Sequence, residues 1–227
     1  MDINALLGPD RREVRAVMVA TVTGSASAAG TSESLGNDTD AQLLQGLRDW
    51  AEVIVVGAST VRAEDYGGAT SAAGTPAPIA VVTGSADMDP RSRFFTDYST
   101  APLLLVPHAA LAQAEVRERT RRLEAQGAEI IDAGTASPAD LLACLRARGY
   151  GRIVCEGGPG LLSQFVAADA VDAFYLTLDP TVTSAVETPV VRADDATSSR
   201  TTRLTLDNCA PDADGTVFLR YRRARRP

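Results

Sequence analysis

Short apolar runs rich in β-branched residues alternate with amphipathic segments along most of this chain. "VRAVMVATV" from Val14, "VIVVGA" from Val53, "PIAVVTG" from Pro78 and "PLLLV" from Pro102 read as strands. "AEIID" from Ala128, "RIVCE" from Arg152 and "DAFYLTLDP" from Asp172 continue the series. Helical spacing appears between them. "DAQLLQGLRDW" from Asp40 puts Leu43, Leu44 and Leu47 on one face, with Asp38 or Thr39 as the candidate N-cap. "LAQAEVRERTRRLEAQG" from Leu111 predicts one helix that stops at Gly127. "SPADLLACLRARG" offers a capping Ser137, a proline in the first turn and Gly149 at the end.

Continuous apolar strands separated by helices predict an α/β fold with a mainly parallel sheet covered on both faces. The end of the chain breaks that rhythm. "TTRLTLDNC" and "GTVFLRYRR" are joined by "APDADG", which leaves no room for a crossover helix, so they predict an antiparallel hairpin at the sheet edge. "GSASAAGTSESLGND" from Gly24 and "TSAAGTPAP" from Thr70 read as loops. The first of these lies between a strand and a helix, where open parallel sheets handle ligands. Residues 14–227 are expected to form one domain, with residues 1–13 as an N-terminal extension.

A chain of 227 residues with 45% apolar content has enough material for a substantial core. A formal charge of −7 argues against nucleic acid as a partner. The basic "RYRRARRP" from Arg220 reads as a solvated tail. Three widely spaced cysteines, Cys144, Cys155 and Cys209, fit reduced thiols in a cytoplasmic protein rather than a disulfide framework. The single histidine, His108, follows a strand and sits at a loop position, so no histidine-based metal site is expected. No run approaches the roughly 18 apolar residues of a membrane span.

Three stretches carry candidate chemistry. In "RIVCEGGPGLLSQF" a parallel strand delivers Glu156 to the carboxyl edge of the sheet, and Gly157, Gly158 and Gly160 strip β-carbons from the turn into a helix starting near Gly160 or Leu161. Bare amides and a helix N-terminus together suit a pyrophosphate. A tight turn with glycines for geometry alone is the competing reading. "VIVVGASTVRAEDYG" repeats the logic: Gly57 ends a strand, Ser59 or Thr60 caps a helix and Arg62 follows in its first turn. In "VVTGSADMDPRSRFF", Thr83, Gly84 and Ser85 end a strand ahead of Arg91 and Arg93, a setting for an adenosine phosphate. No G-x-G-x-x-G follows the first strand and no Walker loop is present.

In order and content, "VRAVMVAT", "LRDWAEVIVVGASTVRAEDYG", "VVTGSADMDP" and "RIVCEGGPGLLSQFVAADAVDAFYLTLDP" resemble the reductase domain of riboflavin biosynthesis, over roughly residues 14 to 222. The resemblance implies the three-layer fold of dihydrofolate reductase, a homodimer associating through the late strands, and NADPH as cofactor. It implies that Ala20 offers a backbone contact near the nicotinamide and that Thr60 and Glu64 lie along the cofactor. Thr83 and Ser85 take its adenosine end. By the same resemblance Gly158, Pro159, Gly160 and Leu161 would cradle the pyrophosphate, with Gly157 also among the cofactor-binding residues, and Glu156 would face a small-molecule substrate as the catalytic candidate.

Two departures from the family pattern fall on the substrate side. An aspartate of the family's S-L-D-G, which reaches substrate, is replaced by Thr23 in "TVTG". The arginine that often follows for a substrate phosphate is replaced by Tyr66-Gly67-Gly68. Losing a charge-assisted contact weakens binding about ten- to a hundredfold. The readings left open are a reductase of the riboflavin precursor, a paralogue for another pterin- or pyrimidine-like substrate, an NADPH-binding protein without turnover, and a phosphosugar-binding protein. The deaminase often fused to this reductase needs H-x-E and C-x-x-C, and neither occurs.

Overall fold

The computed structural model describes residues 1–71, 74–192 and 201–224. Its elements run α1 (Ile3–Leu7), β1 (Val14–Thr21), α2 (Asp38–Trp50), β2 (Val53–Gly57), α3 (Ala58–Ala63), β3 (Ile79–Val82), α4 (Arg93–Thr96) and β4 (Leu103–Val106). They continue with α5 (His108–Leu111), α6 (Ala114–Glu124), β5 (Glu129–Asp132), α7 (Pro138–Ala147), β6 (Ile153–Cys155), α8 (Pro159–Ala167), β7 (Ala173–Asp179), β8 (Leu204–Pro211) and β9 (Val217–Arg223). Every predicted strand is present. Among the described residues they make one sheet in the order β5-β4-β3-β2-β6-β1-β7-β9-β8. Only β9 runs antiparallel to its neighbours, β7 and β8, so the terminal hairpin forms the edge as expected.

Strand alternation sorts the core into two clusters. Ile54 and Val56 of β2 join Leu43 and Leu47 of α2 and Val116 and Leu123 of α6 on one face. Val53 and Val55 join Leu141 and Leu145 of α7 and Phe165 of α8 on the other. Successive strand residues point to opposite faces, so a run apolar at every position is buried on both sides. The result is helix, sheet, helix: three layers.

Local details differ from expectation where neighbouring chemistry decides. The N-cap of α2 is Asn37, whose side chain accepts from the Asp40 amide; Asp38 and Thr39 fall inside the helix. Neither Ser59 nor Thr60 caps α3, which begins at Gly57 without a side-chain cap and carries Arg62 in its last turn. Helix α8 starts one turn position earlier than expected, with Gly158 as cap and Pro159 first. The predicted long helix from Leu111 is the shorter α6, which begins at Ala114, and Leu111 itself closes the separate helix α5. The loop from Thr70 includes residues 72 and 73, which lie outside the described residues.

The basic C-terminal run is not a solvated tail up to Arg223; residues 225–227 lie outside the described residues. Arg220 pairs with Asp207 at 2.7 Å and donates to the Ala5 carbonyl at 2.9 Å. Arg222 bridges Glu13 and Asp207 at 2.7 and 2.9 Å. Strand β9 therefore staples the N-terminal segment to the sheet. Arg15 completes this array. It is fully buried, bonds Glu13 at 2.9 Å and the carbonyls of Leu7 and Pro9 at 3.1 and 2.7 Å, and stacks 3.6 Å from the Trp50 ring centre. The segment before β1 is thus held by a cation it surrounds. Removing one partner of such a group strands the others without water. Arg15→Ala is expected to lower unfolding free energy by about 3–5 kcal/mol, read from urea denaturation. A change of a few tenths would mean the array is solvated.

Candidate functional site

The strand order reverses at β6, which returns from the far side of the sheet to lie between β2 and β1. Crevices outside the carboxyl ends at such a reversal are where open α/β sheets bind ligands. Here two glycine turns meet. The Gly57 amide donates to the Gly157 carbonyl at 2.9 Å, linking the end of β2 to the end of β6. Gly157 and Gly158 hold φ of 83° and 28°, values that side-chain-bearing residues rarely adopt. A β-carbon on Gly158 would lie 2.5 Å from Thr60 Oγ1, and one on Gly157 2.9 Å from Met18 Sδ. These two glycines are required by the protein's own packing.

Gly84 and Gly160 are different, because a β-carbon on either would meet nothing within 4 Å. Both line an open cleft of about 290 Å³ at the carboxyl ends of β2 and β3. Ser59, Arg62, Thr83 and Ser85 supply its polar wall, and Leu161 and Gln164 its α8 side. The first intrahelical bond of α8 runs from the Leu162 amide to the Gly158 carbonyl at 2.9 Å. The amides of Gly160 and Leu161 precede it and have no acceptor within the helix. Of the residues that the resemblance assigned to a cofactor, Thr83, Ser85, Gly160 and Leu161 line this cleft. Gly157, Gly158 and Pro159 form the turn beside it, with the Thr60 hydroxyl packed beneath.

Glu156 lies on the opposite, α2-facing side of the sheet and is enclosed: its side chain is 3% exposed. Arg48 of α2 grips it with two bonds, Nε to Oε1 at 2.6 Å and Nη2 to Oε2 at 2.7 Å. The Tyr66 hydroxyl donates to Oε2 at 2.8 Å. Burial works against the Arg48 charge, but the Glu156 carboxylate more than offsets it and holds the guanidinium protonated beyond its usual range. Burial and the same carboxylate push the Tyr66 phenol well above its usual value, so it stays a neutral donor. Arg48 was not picked out in the sequence, and Tyr66 was noted there only as standing in place of the family's arginine. The available signal was a lone cation beside the apolar stripe Leu43, Leu44 and Leu47.

Around the end of β1 the chain pairs with itself. Ala20 is buried. Thr23 shares hydroxyl hydrogen bonds with Thr21 at 3.1 Å and Thr183 at 2.8 Å, and accepts from the Thr183 amide at 3.2 Å. Glu64 accepts from the amide and hydroxyl of Ser32, at 3.1 and 3.0 Å, and so ties α3 to the β1–α2 loop. The segment after β7 crosses this edge, and the Arg192 amide donates to the Pro159 carbonyl at 3.1 Å. His108, which opens α5, lies exposed beside Asp132 at 2.6 Å. Among the described residues no cluster of His, Cys, Asp and Glu could hold a metal ion, and no helix is long and apolar enough to cross a membrane.

A three-layer α/β fold with this glycine-turn edge is the fold of the dihydrofolate-reductase-like proteins. The solved dihydrofolate reductase of Enterococcus faecalis, described as complexed with NADP(H), superposes with a TM-score of 0.53 at 13% identity, covering 93% of this chain and 96% of that one. The family model of the RibD C-terminal domain matches residues 12–218, so the chain belongs to that family. A pyrimidine reductase-like protein from Corynebacterium diphtheriae matches with 30% identity and a TM-score of 0.84, over 94% of this chain and 92% of that one. A diaminohydroxyphosphoribosylaminopyrimidine deaminase/5-amino-6-(5-phosphoribosylamino)uracil reductase from Thermotoga maritima matches with 15% identity and a TM-score of 0.73. That match covers 93% of this chain but 56% of the longer protein. No match was found among curated proteins.

One more acid stands on the α2 face. Asp40 accepts a hydrogen bond from the Thr177 hydroxyl of β7. Burial first, and then the nearby Asp179, raise its pKa against the lowering effect of Thr177. A carboxyl whose folded pKa is raised weakens the fold once pH exceeds the unfolded value of 3.8, and the penalty is complete above the folded pKa. Asp40→Asn keeps an acceptor for Thr177 and removes the charge. The variant is expected to melt above the parent at neutral pH, with the gap narrowing as pH falls through the folded pKa and closed below 3.8. A variant that melts below the parent at neutral pH contradicts this electrostatic picture.

Proposed function

We propose that this protein is a reductase of the riboflavin-biosynthesis type that uses NADPH and acts on a small heterocyclic substrate. Membership of the RibD C-terminal domain family supports the reductase class. The observation that carries the cofactor is the cleft whose floor lacks β-carbons at Gly84 and Gly160 and whose wall carries Arg62, Thr83 and Ser85. A dinucleotide is long, anionic and in need of close backbone approach, and this cleft answers each requirement. In this reading the Gly160 and Leu161 amides hold the diphosphate, while Arg62, Thr83 and Ser85 hold the adenosine-side phosphate that favours NADPH over NADH. The bound cofactor supplies the hydride. The chain's own part is to bind and orient, with α8 fixed by the Gly57–Gly157 bond and the α2 face, carrying Arg48, Tyr66 and Glu156, presented to the substrate.

A second reading, binding without turnover, has one feature in its favour: the Thr23 hydroxyl is already engaged by Thr183 and the Glu156 carboxylate is already covered. NADPH oxidation in the presence of the riboflavin precursor or of dihydrofolate separates the two. Self-association through the late strands and a cytoplasmic setting belong to the same proposal. The exposed outer strand β8, with Leu206 half exposed, leaves an edge open to a second copy.

Titration of the purified protein is expected to give saturable NADPH binding, tighter than NADH. No saturable binding of either removes the proposal. Gly160→Val puts a side chain into space that is open in the fold. Melting temperature should stay within a degree or two while NADPH affinity falls about tenfold or more, the cost of blocking a charge-assisted contact. Unchanged affinity would place the dinucleotide elsewhere.

A further inference from the structure

Between β3 and α4 the chain makes a turn that its own hydroxyls shape. The Thr83 hydroxyl accepts from the Ala86 amide at 3.0 Å, and the Ser85 hydroxyl accepts from the Asp87 amide at 3.3 Å. With a backbone donor on each oxygen, both O–H groups are left to donate. Ala86 holds φ at 49° and is buried, as is Met88, so the turn is anchored in the core and Ser85 and Asp87 stand outward. Thr83, Gly84 and Ser85 line the cleft, and so does Arg62, which donates to the Asp87 carbonyl at 3.0 Å. Asp87 is therefore one hydrogen bond away from the cleft wall at two points, and its carboxylate is exposed.

The two arginines that follow this turn in the sequence do not line the cleft. Arg91 bonds Asp89 at 3.3 Å, and Arg93 lies 3.6 Å from Asp65 and from Asp97. A different arginine reaches the turn from α6. Val116, Thr120 and Leu123 of that helix are buried, which leaves Arg119 half-buried at the margin of the same face. It donates to the Ser85 carbonyl at 3.2 Å and stands 4.0 Å from the Asp87 carboxylate. Glu115, one helical turn earlier, accepts from it at 2.7 Å. Of the two acids on the turn, Asp89 is thus matched by Arg91 and Asp87 by Arg119.

A carboxylate beside an adenosine ribose does two things. It accepts hydrogen bonds from free ribose hydroxyls, and it repels a phosphate esterified to one of them. Left unmatched, Asp87 would do both at this end of the cleft. We propose that Arg119 is a positioning residue that sets dinucleotide specificity: by balancing the Asp87 carboxylate and holding the Ser85 carbonyl, it turns the cleft toward a phosphorylated adenosine ribose and away from a free one. Arg119 acts through the turn and touches no ligand itself. With Asp87 balanced, what faces the cleft here is the donor set of Thr83, Ser85 and Arg62, which suits an acceptor-only group. This rests on the reading that the cleft holds a dinucleotide with its adenosine end at Thr83 and Ser85.

The test measures Kd for NADPH and for NADH on the full chain, on Arg119→Gln, on Arg119→Lys and on the double variant R119Q/D87N, with a melting curve for each. The parent is expected to bind NADPH more tightly. R119Q is expected to lower the NADPH-to-NADH affinity ratio about three- to tenfold, the scale of one partly screened charge acting on a doubly charged group. R119K keeps the charge and is expected to hold the ratio within about twofold of the parent. Adding D87N to R119Q is expected to restore it, because the charge that needed balancing is gone. Damage to the fold alone weakens both nucleotides alike and leaves the ratio where it was. A ratio unchanged in R119Q, or one that D87N fails to restore, overturns the proposal and leaves the dinucleotide reading standing. A parent that binds neither nucleotide removes that reading and this inference together.

Discussion

The Gly57 amide that donates to the Gly157 carbonyl joins the ends of two strands that are far apart in sequence. Their following helices, α3 and α8, consequently begin at one place on the carboxyl edge. The bond is available because β6 returns to lie between β2 and β1, so that β2 and β6 run parallel and side by side. It needs Gly157 in a left-handed conformation, and that conformation aims the next residues across Thr60. The cleft and the free amides of α8 follow from this one closure. Alternation along β6 does the sorting: Val154 joins the α2-side core and Cys155 the α7–α8 side, which sends Glu156 back toward α2.

Most of the architecture was legible in the residues because the strands are apolar at every position and the helices at every third or fourth. What could not be read was determined by distant partners. Asn37 caps α2 in place of Asp38, and its amide reaches Asp212 and Asp214 on the β8–β9 turn. The basic run from Arg220 looks like a tail until β9 is placed beside β7, where Arg220 and Arg222 face Asp207 and Glu13. Glu156 was correctly placed at the carboxyl edge, but its two partners come from residues 48 and 66. Nothing local announces that three such positions converge.

The two sides of the edge differ in what they leave available. On the cleft side, hydroxyls, an arginine and bare glycines line open space. On the other side the polar groups are spent on one another: Arg48 and Tyr66 on Glu156, Thr183 on Thr23, Ser32 on Glu64. The open side is the one to which the proposed function assigns the dinucleotide. Cys155, fully buried beneath the turn with its thiol pushed up to about 12 by desolvation, packs as an apolar group and takes no part in the chemistry.

The most direct measurement is a crystal structure of the protein grown with NADPH. The account predicts the diphosphate against the Gly160 and Leu161 amides, with the adenosine end beside Thr83 and Ser85 and the nicotinamide running toward β1. A dinucleotide bound anywhere else on the molecule, with this cleft holding only solvent, would contradict it.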